Sequence, residues 1–197
     1  MTAELAAVLQ HAWQMMQNGV NSVEDPCHVG VLGTASERGC SQRLMVLRKA
    51  DPDTRALTCY TDARSAKFIE LESCGRVSWL FHHPAGRIQI RASGAARLHL
   101  NNVTALETWR ILPLEQRLRY CSVLPPGNRV EDPDQVLPPE WTQTPPTLAD
   151  SEAGAHNFCV IITTIKRLDW LQPGPSGWRR AIFIASGSEM EASWRVP

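Results

Sequence analysis

The sequence predicts a mainly β fold of the α+β class, an antiparallel barrel with flanking helices. Three observations carry that expectation. Strand-like runs follow one another from His28 to Leu100, separated by turns and one short helical pattern. The remaining helical periodicity lies near the N-terminus and around residues 102–120, and the chain returns to strand-like runs from Phe158. Strands that follow strands disfavour a parallel βαβ sheet and suit a barrel or open antiparallel sheet.

The chain is read as a single domain spanning residues 1–197, long enough to bury a substantial core. It divides into an N-terminal helix (3–17), a barrel core (28–100), helices with a proline-rich arm (102–156) and C-terminal strands (157–196). Twenty basic residues balance twenty acidic ones. No global field favours nucleic acid or an anionic membrane, so any anion site must be a local cluster. The longest apolar runs, such as Cys159–Ile165, are far too short to span a bilayer. The first residues carry Glu4 and no basic stretch, unlike a secretory signal, so a cytoplasmic location is expected. Six scattered cysteines form no CxxC pair; they are expected to be free thiols, with no metal site.

Leu5, Val8, Leu9, Ala12, Met15 and Met16 recur at helical spacing, and Asn18-Gly19 supplies a stop. His28–Ala35 reads as a strand whose glycines let a backbone or ligand approach closely. Ser36–Cys40 is a turn. Gln42–Lys49 is a second strand with Arg43, Met45, Leu47 and Lys49 on one face and Gln42, Leu44, Val46 and Arg48 on the other. Ala50–Thr54 turns the chain into a third strand, Arg55–Asp62, expected to pair with the second as a hairpin. Ser65 suits the N-cap of a short helix that contains Lys67, Phe68 and Leu71 and stops near Gly75. Such a helix start, with Lys67 beside it, suits an anion; it also fits an ordinary capped surface helix.

Arg76–His83 is an apolar fourth strand expected to be mostly buried. Arg87–Leu100 is a long fifth strand whose Ile88, Ile90 and Ala92 oppose Arg87, Gln89, Arg91 and Ser93. That polar face must meet solvent, a ligand or another subunit. Asn102–Leu112 and Leu114–Tyr120 read as helices interrupted by Pro113. Leu124–Ala149 contains Pro125, Pro126, Pro133, Pro138, Pro139, Pro145 and Pro146 and cannot be regular throughout. Strands follow at Phe158–Leu171, Trp178–Ala185 and Glu191–Val196, with a turn at Gln172–Gly177. Trp13, Trp79 and Trp109 sit in apolar patterns and are assigned to the core.

These motifs resemble the pyridoxamine 5′-phosphate oxidase family and its related FMN-binding proteins. Arg43-Leu44-Met45-Val46-Leu47-Arg48 is similar to the family's R-x-V-L-(K/R) strand. Tyr60-Thr61 followed by Ser65-Ala66-Lys67 is similar to its aromatic segment and S-R-K motif, and Arg87, Gln89 and Gly94 to its R-x-Q-x-x-x-x-G strand. The resemblance implies a split-barrel fold and an FMN site lined by Arg43, Met45, Val46, Arg48, Tyr60, Thr61, Ser65, Lys67 and Gln89. It also implies a homodimer with FMN at the subunit interface, Trp170 reaching the flavin from the second subunit, and Arg180 or its neighbour Arg179 as the late arginine. The physics agrees in outline, since a phosphate dianion wants cations and a helix N-terminus, and an amide suits the flavin's polar edge.

The sequence departs from the family in places. Ala66 replaces a usual second cation. Arg43 and Arg48 fall on opposite faces of an ideal strand, so one ligand meets both only through a bulge, a strong twist or a second subunit. The stretch GWRRAIFIAS lacks the histidine and aspartate of the family's late substrate motif, and Trp109, Arg117 and Tyr120 match its substrate cluster only loosely.

By family analogy the reaction moves a hydride between a small substrate and flavin N5, with CH–NH2 donors and oxygen as the family's partners. No catalytic acid or base is legible. Two alternatives stand beside this reading. One is an NAD(P)H-dependent flavin or small-molecule reductase, for which the absent GxGxxG decides little. The other is a non-catalytic flavin- or haem-binding protein, kept open by His82, His83 and His99, although adjacent strand histidines point to opposite faces.

Overall fold

The computed structural model describes residues 1–37, 39–132, 136–175 and 177–197. Arg38, Pro133 and Ser176, which fall in the predicted turns and the proline-rich arm, lie outside the described residues. The chain divides into two compact units: Met1–Cys59 with Cys74–Arg97 and Ile162–Pro197, and Tyr60–Ser73 with Leu98–Ile161.

The first unit opens with α1 (Ala3–Asn21), whose N-cap Thr2 accepts from the Leu5 N–H. Asn18-Gly19 does not end the helix as expected. Gly19 is buried where a Cβ would lie 2.3 Å from the Cys27 carbonyl carbon, and its own carbonyl lies 2.7 Å from His28 Nδ1. Close packing selects the glycine there, and the helix runs on for two residues.

The strands of this unit are antiparallel neighbours in the order β2-β1-β5-β6-β7-β4-β3, with β8 on β7 and β9 on β8. They are β1 (Val29–Ser36), β2 (Gly39–Val46), β3 (Lys49–Asp51), β4 (Ala56–Asp62), β5 (Arg76–His83), β6 (Ile88–Leu100), β7 (Phe158–Gly174), β8 (Gly177–Ser186) and β9 (Glu189–Arg195). Strands β4, β6 and β7 each continue into the second unit. The predicted second strand is in fact two. β2 pairs with β1 in register Val29↔Val46 to Ser36↔Gly39, and the expected hairpin partner of β4 is only the three-residue β3. The switch occurs at one peptide: Leu47 N–H donates to His28 O (2.9 Å) and Arg48 N–H to Thr58 O (2.8 Å). Ala50 and Asp51, expected in the turn, belong to β3.

β5 alternates rather than burying throughout. Val77, Trp79 and Phe81 are interior, whereas Leu80 is 36% exposed. Trp79 stacks on Phe81, and its indole N–H donates to Thr163 Oγ1 (3.2 Å). On β6 a Cβ at Gly94 would lie 1.9 Å from Thr164 O, so only glycine permits β6 to approach β7 there. β7 extends through Pro173 and Gly174, shortening the predicted turn, and β9 starts two residues earlier than expected. All six cysteines are free. Among the described residues no helix is long and apolar enough to cross a membrane.

The second unit holds α2 (Ala66–Cys74, its last residue in the first unit), α3 (Val103–Ile111, capped by Asn102) and α4 (Leu114–Arg117). The predicted helix over Leu114–Tyr120 tightens into a 3-10 turn after Arg117. The arm contains a 3-10 turn at Pro139–Thr142, and a further 3-10 segment, Asp150–Asn157, was not legible in the sequence. Trp109, Tyr120 and Phe158 pack on one another with centroids 5.0–6.0 Å apart.

Candidate functional site

In the first unit the predicted site residues fall on two faces of one sheet. Cross-strand partners share a face, and Arg43, Leu32, Trp79 and Ala92 form one row across β2, β1, β5 and β6. Leu32, Trp79 and Ala92 are fully interior, so Arg43 starts from the core side. Its guanidinium donates to Thr34 Oγ1, which is buried, and to Ser41 O at 3.3 Å. Gln89 stands opposite exposed His82 on the other face of β6, alternating with buried Ile88 and Ile90. The strand switch at Leu47–Arg48 removes the simple alternation between Arg43 and Arg48. Met45 and Val46 end β2 half-buried, opposite Gly30 and Val29.

Trp170 is 2% exposed within its own chain, edge-on to Trp194, and its indole nitrogen has no hydrogen-bond partner among the described residues. Arg180 forks onto the buried carboxylate of Asp169, with Nε–Oδ1 2.9 Å and an N–H to Oδ2 at 2.7 Å. Arg91 and Arg167 stand farther from the same carboxylate, at 3.8 and 3.7 Å. Burial, the largest influence, raises the Asp169 pKa; the Arg180 hydrogen bonds and the three positive charges together outweigh it and hold the carboxyl below its ordinary value. Beside this cluster the outer face of the sheet carries a trough of about 330 Å³.

In the second unit the predicted residues do come together. Thr61 and Ser65 are each 3% exposed, and their hydroxyls lie 3.1 Å apart. Ser65 Oγ donates to Asp62 O (2.7 Å), and Lys67 Nζ donates to Thr61 Oγ1 (3.2 Å). A lysine, two hydroxyls and the start of the nine-residue α2 thus share one corner, a donor set that suits a phosphate. Tyr60 packs edge-on to Phe158.

Two features of this unit escaped the sequence reading. Arg64 is held by Asp62, by Ser122 O and by Ser122 Oγ (2.7–3.0 Å), so it braces the corner rather than replacing the cation missing at Ala66. Arg117 is 3% exposed and donates to Leu112 O, Arg110 O and Glu152, with its guanidinium over the Trp109 ring. That placement makes the loosely matched Trp109, Arg117 and Tyr120 a packing cluster. The i to i+2 spacing of Asp62 and Arg64 was the available signal for the first; nothing local announces the second.

Residues 7–100 match the family model for the pyridoxamine 5′-phosphate oxidase FMN-binding domain. That segment, just under half of the chain, is similar to this family's domain, whose cofactor is FMN. The whole chain is similar in structure to a pyridoxamine 5′-phosphate oxidase-related FMN-binding protein from Nostoc punctiforme, with TM-score 0.75, 20% identity and all of both chains covered. It is also similar to PhzG from Burkholderia lata, solved with tetrahydrophenazine-1-carboxylic acid (TM-score 0.72, 17% identity, 98% of this chain and 92% of that one). A third likeness is to a Clostridium acetobutylicum protein related to general stress protein 26 (TM-score 0.52, 9% identity, 94% and 93% covered). At these identities the likenesses establish the split-barrel fold. No curated protein matches the chain.

Proposed function

We propose that the protein is an FMN-dependent oxidoreductase that works as a homodimer, with each flavin held at the subunit interface. FMN, when bound, supplies hydride chemistry at N5 toward a small substrate. The chain's own residues bind and orient it. Lys67, Thr61 and Ser65 at the start of α2 hold the phosphate; Arg43 and Arg48 add positive charge; Gln89 gives and accepts hydrogen bonds at the polar edge of the ring. One observation carries the two-subunit reading: Arg43 and Gln89 lie on opposite faces of the same sheet within one chain. One ligand meets both most simply when the second copy supplies one of them. Trp170 and Arg180 belong to the same expectation, from the partner side.

The test is the visible spectrum of the purified protein, with mass spectrometry of what denaturation releases. A flavin spectrum and the mass of FMN are expected. Lys67→Ala should weaken FMN binding by about tenfold or more, the loss of one charge-assisted contact to phosphate. A colourless protein that also fails to bind added FMN would overturn the reading.

A further inference from the structure

The trough on the outer face of the first unit is built from one cross-strand row. Gly33, Ser78 and Ser93 lie side by side on β1, β5 and β6, and Gln42 is Gly33's partner on β2. Glycine and serine are among the smallest residues, so this row forms a low floor. Arg91 and Arg167 stand over it from β6 and β7. The cavity of about 330 Å³ is at the small end of the range for small-molecule sites.

The charges here do not balance. Three guanidiniums face one carboxylate, and Arg180 already occupies both Asp169 oxygens at hydrogen-bond distance. Arg91 and Arg167, at 3.8 and 3.7 Å, are attracted to Asp169 without forming good hydrogen bonds to it. Asp169 therefore orients the arginines while leaving about two positive charges on the wall. Ser78, Ser93 and Gln42 line the trough and add hydroxyl and amide donors to it. Leu80 and Val31, in the row beside the floor, add an apolar edge.

We infer that this trough is a binding site for a small oxyanion-bearing molecule, a carboxylate or a phosphate, held between Arg91 and Arg167 with its body over the Gly33–Ser78–Ser93 floor. None of the residues assigned to FMN lines the trough, although Arg180, assigned to FMN from the partner side, shares Asp169 with Arg91 and Arg167.

The experiment is isothermal titration of the purified protein, in the flavin state it is isolated in, with inorganic phosphate and with benzoate. Saturable binding of either probe is expected, weakening as salt is raised. Benzoate alone binding would mark the ligand as a carboxylate; phosphate alone would mark it as a phosphate. Arg91→Gln with Arg167→Gln should weaken the bound probe by about tenfold or more. Ser78→Leu, at an exposed position, should block the floor sterically and provides a second test if the double variant fails to fold. A visible spectrum unchanged in both variants would show that flavin binding is untouched. No heat with either probe, or equal affinity in wild type and Ser78→Leu, would overturn the inference. So would a double variant that becomes monomeric in sedimentation while wild type binds neither probe, because the trough would then seat a second copy's acidic side chain.

Discussion

Arg117 offers the sharpest prediction about the second unit. Its sequence position loosely matches a family substrate residue, yet the structure buries it to 3% exposure among acceptors of its own chain. Arg117→Met keeps the apolar stem and removes the guanidinium. Leu112 O, bonded at 3.0 Å, and Arg110 O, at 3.1 Å, then lose their donor. The buried Leu112 O left unsatisfied costs about 1–3 kcal/mol, whereas the carbonyl of exposed Arg110 turns to water at little cost. Glu152 is 58% exposed on its side chain and is rehydrated at little cost, so the ion pair adds little. Loss of the contact over Trp109, at 4.9 Å, adds about 0.5–1 kcal/mol. The total of about 1.5–4 kcal/mol corresponds to a fall of about 3–16 °C in Tm for a chain of this size. Thermal unfolding followed by far-UV circular dichroism measures it, with FMN content of the folded variant as a control. A Tm within about 2 °C of wild type, together with lost turnover, would refute the structural role and return Arg117 to the substrate site.

Other predictions follow from single contacts. Gly94→Ala places a methyl 1.9 Å from Thr164 O, so β6 and β7 must separate; the variant should be insoluble or strongly destabilised, which expression and urea unfolding would show. Asp169→Asn leaves Arg180 without its carboxylate and should cost about 2–4 kcal/mol near neutral pH. The folded pKa of Asp169 lies below its unfolded value, so its contribution is full above the ordinary carboxylate range and is lost as pH falls through the folded pKa. The wild-type advantage over Asp169→Asn should therefore hold at neutral pH and shrink below about pH 4; an advantage constant down to pH 2 would contradict the assignment.

Much of the fold was legible because its signals are local. The apolar run Arg76–His83 placed the bounds of β5 to the residue, though not its alternation, and the buried Ile88, Ile90 and Ala92 face of β6 was correct. The errors share a cause. Nothing in Gln42–Lys49 says that the chain changes partners at Leu47–Arg48, because that depends on His28 O and Thr58 O, both distant in sequence. Gly19 misled for the same reason, being selected by the Cys27 backbone rather than by helix termination. For the candidate site, the Thr61–Ser65–Lys67 corner was readable because its members lie within one turn of chain. The Asp169 arginine cluster was not, since it assembles from β6, β7 and β8.

The central claim is that Arg43 and Gln89 serve one flavin from two chains. Subunit mixing tests it most directly. Arg43→Ala and Gln89→Ala homodimers, each weakened in FMN binding, are mixed under conditions that exchange subunits and titrated with FMN by flavin fluorescence. Random exchange at equal amounts should restore about a quarter of the sites to wild-type affinity, because each mixed dimer contains one site with both residues intact. No recovery after demonstrated exchange would contradict the account, since every site would then draw both residues from a single defective chain.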